Sequence, residues 1–452
     1  MIIFSQLWRE YVNGKMRVNP SGLAKHVAQE AEDLANYGCR AILWPPLTMA
    51  QGGTADDADG YGMARSLDTG QFAGRPTRWG TAQEVQAANR KVHAVGMWAF
   101  EDAVIHQFAG ALPIYELNPD GAADHTLFPK MPSCFVPQVA ADNVFDAEGN
   151  QAFGQMVSYQ NSRPAGYMLH GMIQAMQWRK TRLGLNGGRL DDTKGEAASV
   201  SQRMIERVGG WWFGECFVGS YPELREWIIA AGYKRTLDFQ LHWWIKAVCE
   251  GTASCSILTG FMQASDIWQY LVLFVESADT DNNDGENVRF NKMWGYLIIL
   301  TFPAAAASIY RGDWEKYGLA PEIKPLMWVH ETFAFGGLHF HHVEDDAIAW
   351  GRDGNGGEVG WSGGLLCAFA RQDRGFWTPT VFRPNVHLHE YLGHGPDLWT
   401  DQNGWVYLDL KQGQYVAYAV AGVNRALPIV PIAETMNGSL FDFADITVRY
   451  SA

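Results

Sequence analysis

The feature that most constrains the fold is a regular alternation of short apolar strands and amphipathic helices along the first hundred residues. Short apolar runs at 2–7, 41–44 and 97–100 have the length and composition of buried strands. Between them lie two segments with apolar positions at helical spacing, and the second begins with the capping box of Thr81 and Glu84. Strand, helix and strand in this order predict a parallel sheet with helical crossovers.

The same alternation resumes after residue 165. A helix is predicted over 167–183, and five further strands are predicted near 188–190, 211–213, 236–240, 272–275 and 306–310. With the first three these make eight parallel strands, and their natural closure is a (β/α)8 TIM barrel. We therefore predict an α/β fold in which residues 1–106 and 165–335 form the barrel.

Two other regions break the alternation. Residues 107–164 are rich in Pro, Asn, Gly and Asp and show no sustained period, which predicts an inserted subdomain, subdomain B, after the third strand. After residue 335, alternating segments at 347–350, 365–370 and 405–410 are separated by Gly and Asn turns, with Asn403-Gly404 as a hairpin signal. We predict a C-terminal antiparallel β-sandwich over 336–452.

Composition excludes several classes of protein. Hydrophobic residues make up 47% of the chain and charged residues 19%, which excludes a disordered chain. No apolar run approaches the roughly 20 residues of a membrane span, so no membrane partner is expected. The formal charge of −14 argues against a nucleic-acid partner, because phosphate contact needs a basic face. The 19 Trp suit either a large core or a surface that stacks on sugar rings.

Cysteines and the amino terminus add little. The six Cys are scattered without metal-ligand spacing, and we expect most of them to be buried thiols. The first residues lack the basic start and small-residue cleavage site of a signal peptide. The protein is therefore either secreted, with its signal removed, which we favour, or cytoplasmic. We expect a monomer.

Acidic residues follow four of the predicted strands, at the end of a barrel where chemistry takes place. An acid in such a position often caps the next helix or pairs with a local arginine, which is the structural alternative for each one. Several acids on one rim raise one pKa and lower another, as the acid and nucleophile of a glycosidase require. The acids are Glu101, Asp102, Asp191, Asp192, Glu215, Glu276, Asp279 and Asp281.

These segments resemble the motifs of the alpha-amylase family, glycoside hydrolase family 13, in the right order along nearly the whole chain. Residues 102–107 stand where the family has Asp-x-x-x-Asn-His, and 187–195 match Gly-x-Arg-x-Asp-x-x-Lys-His except at the last position. Residues 213–215, Phe-Gly-Glu, match the strand-five motif, and 274–279 resemble Phe-Val-Asp-Asn-His-Asp. The resemblance implies a retaining glycoside hydrolase on a TIM barrel.

The resemblance also implies a catalytic triad. Asp191 would be the nucleophile that forms a covalent glycosyl-enzyme. Glu215 would protonate the leaving oxygen and then act as the base on water. Asp279 would bind sugar hydroxyls and stabilise the oxocarbenium-like transition state.

Further residues would bind the substrate or support the triad. Arg189 would keep Asp191 ionised, Tyr61 would stack on the sugar, and Lys194 would reach a leaving-side glucose. Asp102 is expected to be a structural acid near the subsite. Aromatic neighbours of Glu215 would supply an apolar setting that raises its pKa. The expected substrate-binding residues are Tyr61, Asp102, Gln107, Arg189, Lys194, Trp211 and Trp212.

Four of the departures from the family pattern bear on sugar or calcium binding. The strand-three Asn and His of the family are His106 and Gln107 here, the strand-four His is Gly195, and the strand-seven His is Ala278. Gln107 can still donate a hydrogen bond to a sugar hydroxyl, whereas Ala278 cannot. These changes affect the sugar-binding subsite and leave the triad in place.

No cofactor and no metal are expected. Many alpha-amylases bind Ca²⁺ through the strand-three Asn side chain and the backbone carbonyl of the strand-four His. Ca²⁺ takes oxygen ligands and His106 offers only nitrogen, so we predict no Ca²⁺ at that site. Subdomain B holds other candidate ligands, namely Asp142, Asn143 and Asp146. Two histidine clusters in the predicted sandwich, 339–342 and 387–394, leave a chance metal site open.

The sequence thus predicts a retaining alpha-glucan hydrolase that cleaves α-1,4-glucosidic bonds in starch or maltooligosaccharides. A transglycosylase or a sucrose- or trehalose-active relative is an alternative, because water and sugar acceptors compete for one intermediate. A non-catalytic glucan-binding protein is a second alternative, which loss of the three acids would mark. Asp191, Glu215 and Asp279 are all present.

Overall fold

The computed structural model describes residues 1–71, 75–109, 134–135, 155–159, 166–283, 285–354, 364–424, 426–427 and 429–432. Within these ranges, eight parallel strands form a closed barrel, as predicted. The strands are almost entirely buried, as parallel strands covered on both faces should be. In chain order they are Ile2–Ser5, Cys39–Trp44, Trp98–Ala103, Gly187–Leu190, Trp211–Gly214, Arg235–Leu237, Leu271–Phe274 and Ala306–Tyr310.

Helices connect the barrel strands. The second begins at the predicted capping box, in which Thr81 accepts from the Glu84 backbone and the Glu84 side chain bonds back. The predicted sixth strand is too long, because Asp238 caps the next helix by accepting from Leu241 N. The helices are Leu23–Asn36, Ala82–Ala94, Tyr167–Leu183, Ala198–Val208, Tyr221–Ala230, Phe239–Cys249, Lys292–Thr301, Arg311–Glu315 and Ala320–Phe333, with 3-10 turns at Thr193–Gly195, Cys255–Ala264 and Trp268–Tyr270.

The C-terminal region contains antiparallel sheets that fit the predicted sandwich. A six-stranded sheet comprises, in spatial order, Leu338–Val343, Ala347–Arg352, Leu365–Ala370, Tyr415–Val420, His387–Glu390 and Leu398–Trp399. A two-stranded sheet pairs Arg374–Pro379 with Trp405–Leu410. Buried side chains from both sheets, including Leu366, Val406 and Leu408, form one hydrophobic cluster.

The prediction of a β-hairpin at Asn403-Gly404 is wrong. A turn is present, with Gly404 at a φ of +78°. However, the strand before it pairs with His387–Glu390, and the strand after it pairs with Arg374–Pro379. The turn therefore connects two sheets instead of two neighbouring strands.

Three short antiparallel pairs complete the strands of the described residues. They are Trp8–Val12 with Lys15–Asn19, Met49–Ala50 with Met63–Arg65, and Gln107–Phe108 with Gln155–Met156. The last pair, with a bridge between Phe135 and Val157, is what the structure describes of predicted subdomain B. Asp142, Asn143 and Asp146 lie outside the described residues.

The chain divides into two compact units. One comprises Met1–Phe4, Asp33–Arg40 and Asp238–Ile429, and the other Ser5–Glu32, Ala41–Leu237 and Val430–Ala452. The domain boundaries proposed from the sequence stay predictions. The six cysteines are buried free thiols. Among the described helices, none is long and apolar enough to cross a bilayer.

Candidate active site

Arg189 is the centre of a buried ionic cluster at the carboxyl end of the barrel strands. Its Nη1 lies 3.0 Å from Asp191 Oδ1 and 2.5 Å from Asp102 Oδ2. Its Nη2 lies 2.6 Å from Glu215 Oε1. One guanidinium therefore brings together acids from the third, fourth and fifth barrel strands, including two of the predicted catalytic residues.

Strand register explains this convergence. Arg189 pairs with Asp102 on one side and with Phe213 on the other, so acids placed at or just after these strand ends meet around it. Gly188 makes the close approach possible, since a Cβ there would collide with the Glu101 carbonyl oxygen.

Backbone hydrogen bonds fix the two catalytic candidates. Asp191 N donates to Ala103 O at 3.0 Å, and Glu215 N donates to Leu190 O at 2.9 Å. Asp192 has a φ of +45°, a conformation that Asp adopts more readily than most residues. Its N–H donates to Glu215 Oε2 at 3.1 Å. Both oxygens of Glu215 are thus held, one by Arg189 and one by this turn.

The electrostatics favour a charged Arg189. Burial by itself would lower the pKa of its guanidinium, but electrostatic interactions with Asp102, Glu215, Tyr61 and Asp191 raise the pKa well above its ordinary value. A permanently charged guanidinium favours the ionised form of each carboxyl it contacts. The role expected for Arg189 beside Asp191 stays a prediction.

Tyr61 and Gln107 join the cluster from neighbouring segments. Tyr61 donates from its hydroxyl to Asp102 Oδ2 at 2.7 Å, and the Arg189 guanidinium carbon lies 5.9 Å from its ring centroid. Gln107 Nε2 donates to the Tyr61 carbonyl at 3.4 Å. The structure therefore brings Tyr61, Asp102, Gln107 and Arg189 together, and their contact with a sugar stays a prediction.

Trp211 and Trp212 lie elsewhere. They begin the fifth strand, so Trp211 is about 13 Å along the strand from Glu215. The Trp211 ring stacks on Phe100 at 5.4 Å, and the Trp212 indole N–H donates to Gly209 O at 3.0 Å. The structure does not bring these indoles to the carboxylates. The Glu215 carboxylate contacts Arg189 and the backbone N–H of Asp192, and the apolar setting expected for it stays a prediction.

Lys194 lies in the 3-10 turn that follows Asp191. Its ammonium nitrogen is 5.6 Å from the centroid of the Phe217 ring. Thr193, in the same turn, donates from its backbone to Glu215 O at 3.0 Å. Lys194 is therefore held on the loop that carries the predicted nucleophile, and its contact with a leaving-side sugar stays a prediction.

Asp279 lies on a tight turn after the seventh strand, with an exposed side chain. Ser277 Oγ accepts from Asp279 N and from Thr280 N, each at 3.2 Å. The Thr280 hydroxyl receives a bond from Ser277 N at 2.8 Å and donates to Glu276 Oε2 at 2.6 Å. Hydrogen bonds thus define the conformation of the turn that carries Asp279.

A second buried ionic cluster, centred on Lys292, adjoins this turn. Lys292 Nζ lies 2.6 Å from Asp313 Oδ1, 3.1 Å from Glu276 Oε1 and 3.9 Å from Asp281 Oδ1. Burial raises the pKa of Glu276 to about 7, although Lys292 opposes this shift. Sequence reasoning missed Lys292, because nothing in its local sequence indicates that it meets three distant acids.

His106 and Gly195, which stand where the resembled family has two calcium ligands, lie against each other. The His106 imidazole is buried there, with Nδ1 3.2 Å from Glu196 Oε1 and Nε2 3.7 Å from Asp192 Oδ2. A Cβ on Gly195 would lie 2.5 Å from Cε1 of that ring. The histidine ring thus fills the space left by Gly195 and presents nitrogen where Ca²⁺ takes oxygen.

The two histidine clusters do not assemble a metal site in the described part of the chain, where no group of three or more His, Cys, Asp or Glu has the required geometry. His339 and His341 do share a face, with ring centroids 6.3 Å apart. His339 pairs with Asp353 at 2.8 Å, whereas burial lowers the pKa of His341 to about 4. His387 and His389 both contact Asp397.

Comparison with known proteins agrees with this architecture. An alpha-amylase of Bacillus licheniformis is 22% identical over 403 residues, which cover 73% of this chain and 77% of that protein. An alpha-amylase structure from Geobacillus thermoleovorans, complexed with acarbose, superposes with a TM-score of 0.66 at 15% identity, covering 94% of this chain and 98% of that one. No model of a known protein family matches the chain.

A second solved structure is similar to nearly the same extent. The gamma-CGTase of the alkalophilic Bacillus clarkii superposes with a TM-score of 0.67 at 15% identity, covering 92% of this chain and 70% of that one. These structures share the fold of the chain, and the sequence relative aligns with 73% of its length. The chain is therefore similar in sequence to an alpha-amylase over most of its length, and it has the fold of solved alpha-amylase and CGTase structures.

Proposed function

We propose that the protein is a retaining alpha-glucan hydrolase that cleaves α-1,4-glucosidic bonds in starch or maltooligosaccharides. The observation that carries the proposal is the contact of Asp191 and Glu215 with the same buried guanidinium. This contact favours a close carboxyl pair, as in retaining enzymes, where the separation is roughly 5–5.5 Å.

The chemistry assigns a separate task to each carboxyl. A carboxylate oxygen of Asp191 attacks the anomeric carbon while the glycosidic C–O bond breaks, and Glu215 gives its proton to the leaving oxygen. Glu215 then removes a proton from water, whose oxygen attacks the same carbon and releases Asp191. Arg189 keeps Asp191 ionised before the attack.

Two further elements complete this mechanism. A guanidinium favours the ionised carboxyl, so the Arg189–Glu215 contact has to open when the sugar binds for Glu215 to carry a proton. Asp279 is assigned from its motif as the carboxylate that binds sugar hydroxyls in the transition state. Tyr61, Gln107 and Lys194 are the proposed sugar contacts.

Product analysis tests this function. The protein is incubated with soluble starch, maltooligosaccharides and sucrose, and fresh products are followed by chromatography and NMR. We expect short linear maltooligosaccharides released first as the α-anomer. Products longer than the substrate, or cyclic ones, would establish a transglycosylase instead. The β-anomer would exclude double displacement, and no turnover of any substrate would leave a glucan-binding protein.

We further propose that the usual family site holds no Ca²⁺. This proposal is supported by the position of the His106 ring, which occupies the space beside Gly195. EDTA should leave activity and melting temperature essentially unchanged. A fall of many degrees that added Ca²⁺ reverses would show that other oxygens replace the lost asparagine.

A further inference from the structure

The outer face of the two-stranded C-terminal sheet is aromatic. In this sheet Trp377 pairs with Tyr407, and Pro379 pairs with Trp405. Their sequence neighbours, such as Phe376 and Val406, point the other way and are buried in the sandwich. A solvated sheet face ordinarily carries polar side chains. Here the side chains of Trp377, Trp405 and Tyr407 are 57%, 40% and 47% exposed.

Two rings of this aromatic platform, defined as Trp377, Trp405 and Tyr407, contact each other. The Trp377 and Tyr407 ring centroids are 5.6 Å apart, with 56° between the ring planes. A Cβ on Gly375 would collide with the Tyr407 hydroxyl. The absence of a side chain at Gly375 therefore lets the tyrosine ring lie along the sheet, across to the neighbouring strand.

Charged side chains of the same sheet already have partners of opposite charge. Arg374 lies 3.0 Å from Asp346, and Lys411 lies 3.0 Å from Asp409. The platform is thus an uncharged aromatic surface between ion pairs. It complements a neutral ligand with flat apolar faces, and a pyranose ring presents such a face through its C–H groups while its hydroxyls stay in water.

The size of the platform favours a sugar chain over a second copy of the protein. Aromatic side chains carry about 150–250 Å² each, so these exposed fractions amount to roughly 300 Å². A stable protein interface needs roughly 800 Å² from each partner. The platform covers a few sugar rings but is too small to hold a dimer.

We propose that the platform is a second carbohydrate-binding site, separate in sequence from the Arg189 cluster, which binds an α-glucan chain by stacking. This proposal rests on the proposed function for its choice of ligand. The site would hold the protein on a long polymer or a starch granule, whereas short oligosaccharides would be turned over without it. Binding to polymer and turnover of short substrates are therefore separable.

Trp377→Ala and Tyr407→Ala test the proposal in the full chain. Binding is measured by affinity electrophoresis through amylopectin and by retention on starch granules, with cellulose as the control polysaccharide. We expect each variant to bind amylopectin about tenfold more weakly, with wild-type turnover of a short maltooligosaccharide. Unchanged amylopectin and granule binding in both variants would overturn the proposal.

Trp399→Ala is the matched control. Trp399 is 65% exposed in the same region but stacks on His387 in the six-stranded sheet. The Trp399→Ala variant should bind amylopectin like the wild type. If it loses as much amylopectin binding as Trp377→Ala, the assignment of the site to the platform is overturned. Analytical ultracentrifugation tests whether the platform binds a second copy of the protein instead. If the wild type is a dimer and Trp377→Ala is a monomer, the platform is a dimer interface and the glucan proposal is overturned. If the proposed function itself fails, short substrates are not turned over by the wild type either, whatever the binding result.

Discussion

The Arg189 and Lys292 clusters each place one buried cation among three acidic side chains, but they hold those acids differently. Arg189 contacts Asp191 and Glu215 through different nitrogens of its planar guanidinium. In the Lys292 cluster, each of the three acids also accepts a bond from a hydroxyl group, as Asp102 does from Tyr61 in the Arg189 cluster. Thr280 donates to Glu276, Tyr296 to Asp313 and Tyr317 to Asp281, at 2.6 to 2.7 Å.

The difference indicates different tasks. A planar fork fixes the relative positions of two carboxyls from separate strands, as a pair of reacting groups requires. A lysine is a point charge that any number of acids can approach, and neighbouring hydroxyls then set their positions. We infer that the Arg189 cluster carries the chemistry, whereas the Lys292 cluster stabilises the turn that presents Asp279.

The largest effect is expected from the carboxyls of the Arg189 cluster. Asp191→Asn and Glu215→Gln should each lower kcat on the order of 10⁴-fold, because each removes a group needed mainly in the transition state. Steady-state kinetics on the best substrate give the measurement. Asp192→Asn is the control, since it keeps the backbone N–H to Glu215, and near-normal activity of Asp191→Asn would refute the assignment.

Arg189→Lys tests whether the fork matters. A lysine keeps the charge but cannot contact both carboxyls in the same geometry, so kcat should fall on the order of 100-fold through misplacement of the pair. The pH profile of kcat should change as well, because the ionisation of Asp191 depends on this contact. If kcat and its pH profile both stay at the wild-type values, the two clusters do not differ in the way we infer.

Lys292→Met should instead act mainly on stability. Removing the cation leaves three buried acids without their shared partner, at a cost of about 3–5 kcal/mol in the free energy of unfolding. Urea unfolding at neutral pH measures this cost. We expect kcat of the folded variant to fall less than in Arg189→Lys, and the reverse order would contradict the division of tasks.

The pH dependence of stability offers a second test of the stabilising role of this region, at His242, which lies beside the Asp279 turn. His242 stacks on Phe274, its Nδ1 lies 2.9 Å from Val275 O, and burial lowers its pKa to about 4. The imidazole titrates near pH 6.5 in the unfolded chain but near pH 4 in the folded protein. Its contribution to the free energy of unfolding is therefore complete above pH 6.5 and is lost as pH falls towards 4. The loss from His242 should reach roughly 3 kcal/mol. In His242→Gln the slope should become shallower by this share, while His341, whose pKa burial also lowers to about 4, keeps its own contribution.

The smallest effect concerns the loop beside the Arg189 cluster. Gly195→Ala places a methyl group against the His106 ring and should cost about 1–3 kcal/mol in unfolding free energy. His106→Asn makes room, so the double variant should recover most of this loss. A double-mutant cycle by urea unfolding tests this, and additive losses would show that the ring and the glycine are independent.

Local patterns predicted much of the fold and some of the site. The capping box at Thr81 needs only four residues in sequence, and it forms as predicted. Asn13-Gly14 is an equally local hairpin signal that we did not predict, although both residues have positive φ, 53° and 73°, between paired strands. At Asn403-Gly404 a similar signal failed, because pairing partners elsewhere in the chain decided where each strand lies.

The sequence by itself determined the order of strands and helices and which acids follow the strand ends, since both depend on short-range patterns of apolar and acidic residues. Only the tertiary structure decided that Arg189 gathers three acids and that Lys292 builds a second cluster. It also decided that the His106 ring occupies the space at Gly195. These features depend on strand register and on packing between residues distant in sequence, and no local pattern encodes either one.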